Sequence, residues 1–197
     1  MPKRFTVSIA ILLAMAVSAH AADALALARS LVSYTGGVGA VLHNFESGLA
    51  AQTAAPDVFL QSFQQALADN QMAIAAEDEK LAQVYSRLYP VDQMEAEIAF
   101  YESPEAQDIM RKSRETYGVL VWPDPGAPGV TPEQGAALMK FHALVRQRAA
   151  LAAKNADASD AIMAAETDIL VKVRAAAFAN YCKLRDCNAE KVTIPPQ

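Results

Sequence analysis

Two cysteines, Cys182 and Cys187, form the pair whose spacing most directly suggests chemistry in this chain. A catalytic dithiol usually reads C-x-x-C and haem attachment needs C-x-x-C-H, whereas this pair reads C-K-L-R-D-C. In a continuous helix the second side chain would be turned by about 140° and raised by about 7.5 Å, so the sulfurs could not meet. We therefore predict a structural disulfide, with the last helix ending near Arg185 and Asp186, and keep a redox site as the alternative.

Paired carboxylates are the one option for acid–base chemistry. Asp92 and Glu95 are three residues apart, and Glu95 and Glu102 are seven apart, so they can share a helix face. Acid–base catalysis also needs a cleft and two groups whose pKa values differ, and neither is visible in a sequence. A solvated acidic face is therefore the favoured interpretation.

Metal and cofactor chemistry has little support in the sequence. His43 and His142 are about 100 residues apart, each in an amphipathic segment, and a hydrogen-bonded histidine is the simpler interpretation. Gly37-Val38-Gly39 follows no strand, and Leu42 stands where a dinucleotide turn needs its third glycine. The methionines outside the N-terminal segment are scattered and favour core packing: Met72, Met94, Met110, Met139 and Met163. We predict no cofactor, no metal site and no catalytic residue.

The elements that carry these residues are helical. Apolar residues recur at helical spacing through most of the chain, which predicts an all-α fold, a compact bundle of about seven or eight helices. A weak similarity between residues 90–101 and 131–142 suggests a duplicated helical hairpin. We expect the fourth helix to follow Glu77-Asp78-Glu79 and the last helix to begin near Asp160. The second helix should bury Phe45 on its apolar stripe.

A loop rich in proline and glycine divides the predicted helices. Residues 122–130 include three prolines and two glycines, a composition that excludes regular structure. We therefore predict an N-terminal half at 22–121 and a C-terminal half at 131–197. Trp122 at the start of the loop is interpreted as core packing between the halves, with an exposed contact for a partner as the alternative.

Residues 1–21 have the pattern of a cleaved export signal. Lys3 and Arg4 precede an apolar run, and Ala19-His20-Ala21 supplies the small residues of a cleavage site. The apolar run of about 13 residues is shorter than the roughly 20 needed to span a bilayer. We expect a periplasmic or secreted protein with no transmembrane segment after signal removal, in a compartment that lets the cysteines pair.

Charge and composition exclude two classes of protein. The chain has 17 basic and 22 acidic residues and a formal net charge of −5, which disfavours binding to nucleic acid. A hydrophobic fraction of 53% excludes a disordered chain.

Residues 100–107 read F-Y-E-S-P-E-A-Q and resemble the F-Y-x-S-P-x-G-Q motif of an exported bacterial family of unknown function. The matching residues are Phe100, Tyr101, Ser103, Pro104 and Gln107. The resemblance covers 81–115, and Ala106 stands where the family usually has glycine. It implies an exported helical protein and no established activity, cofactor or catalytic residue.

The same segment can be interpreted from its residues alone as a tight corner between two helices. Phe100 and Tyr101 would end one helix, while Ser103 would cap the next and Pro104 would take its first position. Binding of an anion at that helix start is the alternative, which the charges of Glu102 and Glu105 oppose.

These observations favour a non-enzymatic exported protein that binds a partner, either an envelope protein or a peptide. An envelope hydrolase that uses Glu95 and Glu102 is one alternative. A carrier of a small apolar ligand is another. The oligomeric state is left open.

Overall fold

The computed structural model describes residues 22–51, 53–117, 120–185 and 187. The backbone of these residues forms helices and no strand, which confirms the predicted all-α class. The predicted export signal at 1–21 lies outside the described residues. The helices are α1 (22–35), α2 (Gly37–Ala50), α3 (Pro56–Asp69), α4 (Gln71–Leu88), α5 (Val91–Glu102), α6 (Pro104–Tyr117), α7 (Pro132–Ala153) and α8 (Ala156–Leu184).

Local sequence explains where several of these helices start. Gly36 has a φ of 81°, a left-handed conformation that favours glycine and separates α1 from α2. Pro56 takes the first position of α3, where its missing N–H costs nothing. Thr131 and Gln134 form a complete capping box at the start of α7, because each side chain accepts a hydrogen bond from the other residue's backbone.

Two predicted helix starts were wrong. Helix α4 begins at Gln71, so the acidic run of residues 77–79 lies inside it, where Glu77 pairs with Lys80 at 2.7 Å. Helix α8 begins at Ala156, and the Asn155 side chain accepts a hydrogen bond from the backbone N–H of Ala158 at 3.1 Å. In both places polar residues that suggested a break belong to the helix or to its cap.

The helices group into two units that are not continuous in sequence. Among the described residues, unit 1 contains those of 22–34 and Ala82–Ser159, and unit 2 contains those of Thr35–Leu81 and 160–187. This differs from the predicted halves, because α6 and α7 pack together in unit 1 although the irregular residues 120–131 separate them in sequence.

Unit 2 is built around aromatic side chains of α3 and α8. The ring of Phe59 lies 4.9 Å from that of Phe178 and 5.9 Å from that of Tyr181, between ring centroids. Phe45, which we expected in this core, is 48% exposed, because α2 turns its Leu42 and Leu49 inward instead. A disulfide joins Cys182 to Cys187, and α8 ends at Leu184, between the two cysteines as predicted.

One described stretch, Ala22–Ala50, is long and apolar enough to cross a membrane, judged by length and composition only. It comprises α1 and α2 and is interrupted at Gly36. Its Leu31, Val38 and Leu42 have no exposed surface, while 28% of its most apolar window is buried within the protein.

Candidate functional site

The corner between α5 and α6 is closed by the polar residues of the F-Y-x-S-P segment. Ser103, the single residue between the helices, accepts a hydrogen bond from the Ala106 backbone N–H at 3.2 Å and donates one to the Phe100 carbonyl at 2.7 Å. The Gln107 amide donates to the Tyr101 carbonyl at 2.7 Å. Both helix ends thus find partners, and the segment forms a rigid corner.

Four aromatic side chains pack behind this corner, and we call them the aromatic cluster: Phe100, Tyr101, Trp122 and Phe141. The rings of Phe100 and Phe141 are stacked with centroids 4.1 Å apart, which joins α5 to α7. Trp122 is half-buried and lies 5.2 to 5.9 Å from the other three rings. Trp122 therefore packs inside unit 1, and its contact with a partner stays a prediction.

Glu97 on α5 is a buried acid that was not among the predicted site residues. Its side chain is 1% exposed, and one carboxylate oxygen lies 3.0 Å from the Arg148 guanidinium on α7. Gln93 donates to the other oxygen at 3.5 Å and to the Leu144 carbonyl at 3.3 Å. Burial raises the pKa of Glu97, while the charge of Arg148 and the Gln93 hydrogen bond lower it in part.

Tyrosines surround this ion pair. Burial raises the pKa of Tyr101 to about 12 and raises that of Tyr89 further, against the opposing charge of Arg148. The Arg148 guanidinium also lies 5.9 Å from the centroid of the Tyr85 ring, within cation–π range. The pair is enclosed by protein, so its evident role is to hold α5 and α7 together.

The acids considered for hydrolysis lie elsewhere on α5. Glu102 accepts a hydrogen bond from the Tyr34 hydroxyl at 2.8 Å, and this bond is the main reason that the pKa of Tyr34 is raised. Glu95 lines a separate cavity of about 500 Å³ beside Asp23 and Ser30 of α1, without Glu102. On one helix, seven residues also place the two acids about 10.5 Å apart along the axis. The structure does not bring them into one cleft.

The two histidines among the described residues, His43 and His142, occupy separate units. In unit 2, Nδ1 of His43 lies 3.1 Å from the buried Glu46 carboxylate, which also accepts a hydrogen bond from Gln64 at 2.6 Å. In unit 1, the His142 ring lies 6.0 Å from that of Phe141. No group of three potential metal ligands occurs in the part of the chain that the structure describes.

An open groove of about 400 Å³ runs between α5 and α7 above the aromatic cluster, and we call it the α5–α7 groove. Phe100 and Phe141 contribute to its floor, and Glu105, Glu133 and Lys140 are its charged residues. The remaining lining residues are small or apolar: Ala96, Ala99, Ser103, Ala136, Ala137 and Leu144. This groove was not predicted from the sequence, because it forms where α5 packs against α7. These two helices are not consecutive in the chain, since α6 lies between them.

The described residues thus define an all-α protein whose unit 1 contains an open, largely apolar groove and a buried ion pair. No family model matches the chain, no curated protein matches it, and no solved structure matches it. The resemblance at residues 100–107 to a family of exported proteins stays a prediction.

Proposed function

We propose that this chain is an exported, non-enzymatic helical protein of the periplasm that binds another envelope protein or a peptide. The observation that carries this proposal is the α5–α7 groove, an open apolar surface on unit 1. Open apolar grooves flanked by charged residues are typical of sites that bind peptides and helices.

The distribution of polar groups supports binding over catalysis. Glu97 is the most deeply buried acid among the described residues, and Arg148 and the surrounding tyrosines enclose it. A general acid or base must reach the substrate directly or through one water molecule. Glu97 has no such access, whereas the open groove offers mainly apolar surface.

The proposed location has separate support. The disulfide between Cys182 and Cys187 is typical of proteins in oxidising compartments. The pattern at residues 1–21 fits a leader that is removed during export. Fractionation of a Gram-negative host that expresses the full chain should yield a periplasmic protein whose N-terminus is Ala22. Cytoplasmic protein that retains residues 1–21 would contradict the location.

Binding is tested with the tagged mature protein and envelope extract. We expect cross-linking and mass spectrometry to recover a defined partner in constant proportion, and the same protein unfolded by reduction and urea to recover none. A strictly monomeric protein that recovers nothing above background would contradict the proposed function.

A further inference from the structure

We infer that the α5–α7 groove takes an amphipathic helix of the partner protein, with a basic residue at one end of its apolar face and an acidic residue two turns along. This inference rests on the proposed function and adds the chemistry of the partner.

The first argument is the shape of the groove. Ala96, Ala99 and Ala136 are exposed at its walls, and the stacked rings of Phe100 and Phe141 close its floor. Small residues let another helix approach closely and leave space for large apolar side chains of that helix. From Ala96 to its end at Glu102, α5 rises about 9 Å, so the groove matches a little under two turns of a bound helix.

The second argument is the order of charges along the groove. Glu105 lies in the first turn of α6 and Glu133 in the first turn of α7, and both line the groove. Lys140 follows Glu133 by seven residues, about 10.5 Å along α7. None of these three has an ion-pair partner among the described residues.

These charges specify the partner. A Lys or Arg over Glu105 and Glu133, together with an Asp or Glu near Lys140, would complement the groove. An amphipathic helix presents its apolar anchors and both charges on one face when the charges are seven residues apart. Nucleic acid would meet two carboxylates at the end of the groove, so a helix is the better fit.

The direct test uses a fluorescein-labelled 16-residue peptide with leucines at helical spacing, one lysine, and one glutamate seven residues later. We expect saturable binding to the mature protein by fluorescence anisotropy. The Glu105→Lys/Glu133→Lys variant should bind at least tenfold more weakly and should regain affinity for a second peptide in which a glutamate replaces the lysine, because its groove then carries three positive charges. The matched control is Asp57→Lys/Asp92→Lys, which changes two first-turn acids outside the groove. It should bind as the unchanged protein does.

A second pair of variants locates the site. Ala136→Trp fills the groove at an exposed position, and Ala149→Trp adds the same ring to an exposed position of α7 outside it. We expect only Ala136→Trp to abolish binding of the peptide and of the partner from envelope extract, with both variants folded by circular dichroism.

The outcomes separate this inference from the proposed function. If a partner from envelope extract binds the Ala136→Trp variant as well as it binds the unchanged protein, the proposed function still holds. The groove is then not the site where that partner binds. Three results would contradict binding of a helix with the specified charges. They are equal affinity of the unchanged protein for the two peptides, self-association through the groove, and co-purified lipid in the groove. The absence of any partner, with no peptide binding, overturns both.

Discussion

One carboxylate oxygen of Glu97 on α5 lies 3.0 Å from a guanidinium nitrogen of Arg148 on α7, inside unit 1. The two residues are 51 positions apart in sequence, and their side chains are 1% and 16% exposed. A buried ion pair recovers its desolvation cost only through its own attraction and nearby hydrogen bonds. The packing of α5 against α7 therefore depends on Arg148, whose removal would leave the Glu97 carboxylate buried without a counter-ion.

Replacing Arg148 alone should destabilise the protein strongly at neutral pH. Arg148→Met leaves the Glu97 carboxylate without its counter-ion in a buried position, which typically costs about 3–5 kcal/mol. We expect about 3 kcal/mol, because Glu97 can then take up a proton and become neutral. The free energy of unfolding from urea titration followed by circular dichroism measures this loss.

The control removes both charges together. The Glu97→Leu/Arg148→Met variant has no uncompensated charge, and apolar replacements of buried pairs are often neutral or stabilising. It should recover most of the stability that Arg148→Met loses. A double variant as unstable as the single one would show that packing, and not charge, explains the loss.

The raised pKa of Glu97 predicts a pH dependence with a definite sign. Because burial raises this pKa above the ordinary value of 4.5, the folded protein binds the proton more tightly than the unfolded chain. This contribution to stability is present below about pH 4.5 and is lost as the pH rises through the elevated value. Between neutral pH and pH 5, the unchanged protein should therefore gain stability relative to Glu97→Leu/Arg148→Met. Parallel pH profiles of the two proteins would disprove a raised pKa at Glu97.

Local sequence was sufficient to predict several features. Ser103-Pro104 and Thr131-Gln134 define helix starts through contacts within three residues, so their roles follow from residue type and spacing. The end of α8 between Cys182 and Cys187 follows from the geometry of a disulfide. The all-α class follows from helical periodicity along the whole chain.

Features that depend on distant partners were not predictable in the same way. The sequence contained one hint of Glu97, since it falls on the same face of α5 as Met94 and Tyr101. Nothing local in the sequence indicates that Arg148, which lies on the helix that follows α6, contacts Glu97. The grouping into two units likewise depends on which helices pack together, and a loop rich in proline and glycine does not determine that.

Truncating Phe100 tests the aromatic cluster. Its side chain is buried against Phe141, so Phe100→Ala should leave a cavity and cost about 3–5 kcal/mol. Phe45→Ala is the matched control, because Phe45 is 48% exposed and its removal should cost far less. Equal losses of unfolding free energy in chemical denaturation would refute the packing of Phe100.

The helix cap at Ser103 should have a smaller, separate effect. Ser103→Ala removes the oxygen that accepts from the Ala106 N–H and should cost about 1 kcal/mol. Ser103→Thr keeps a hydroxyl in the same place and should retain most of that stability. Thermal melting measures both effects. An unchanged melting midpoint for Ser103→Ala would show that the Ser103 cap does not stabilise the corner.

Gly135 is the glycine whose lack of a side chain the fold most clearly requires. It lies inside α7, and a Cβ at this position would stand 2.6 Å from the Pro125 carbonyl oxygen of the loop, closer than such atoms approach. In an open helical position, Gly→Ala stabilises by up to about 1 kcal/mol, because alanine loses less backbone entropy. At Gly135 the backbone of residues 120–131 would have to move away, so Gly135→Ala should destabilise the protein.

Gly39→Ala in α2 is the control, since nothing lies within 4 Å of the added carbon, and it should stabilise the protein. Opposite signs in the two unfolding free energies are expected, and a stabilised Gly135→Ala would show that the loop does not rest against α7.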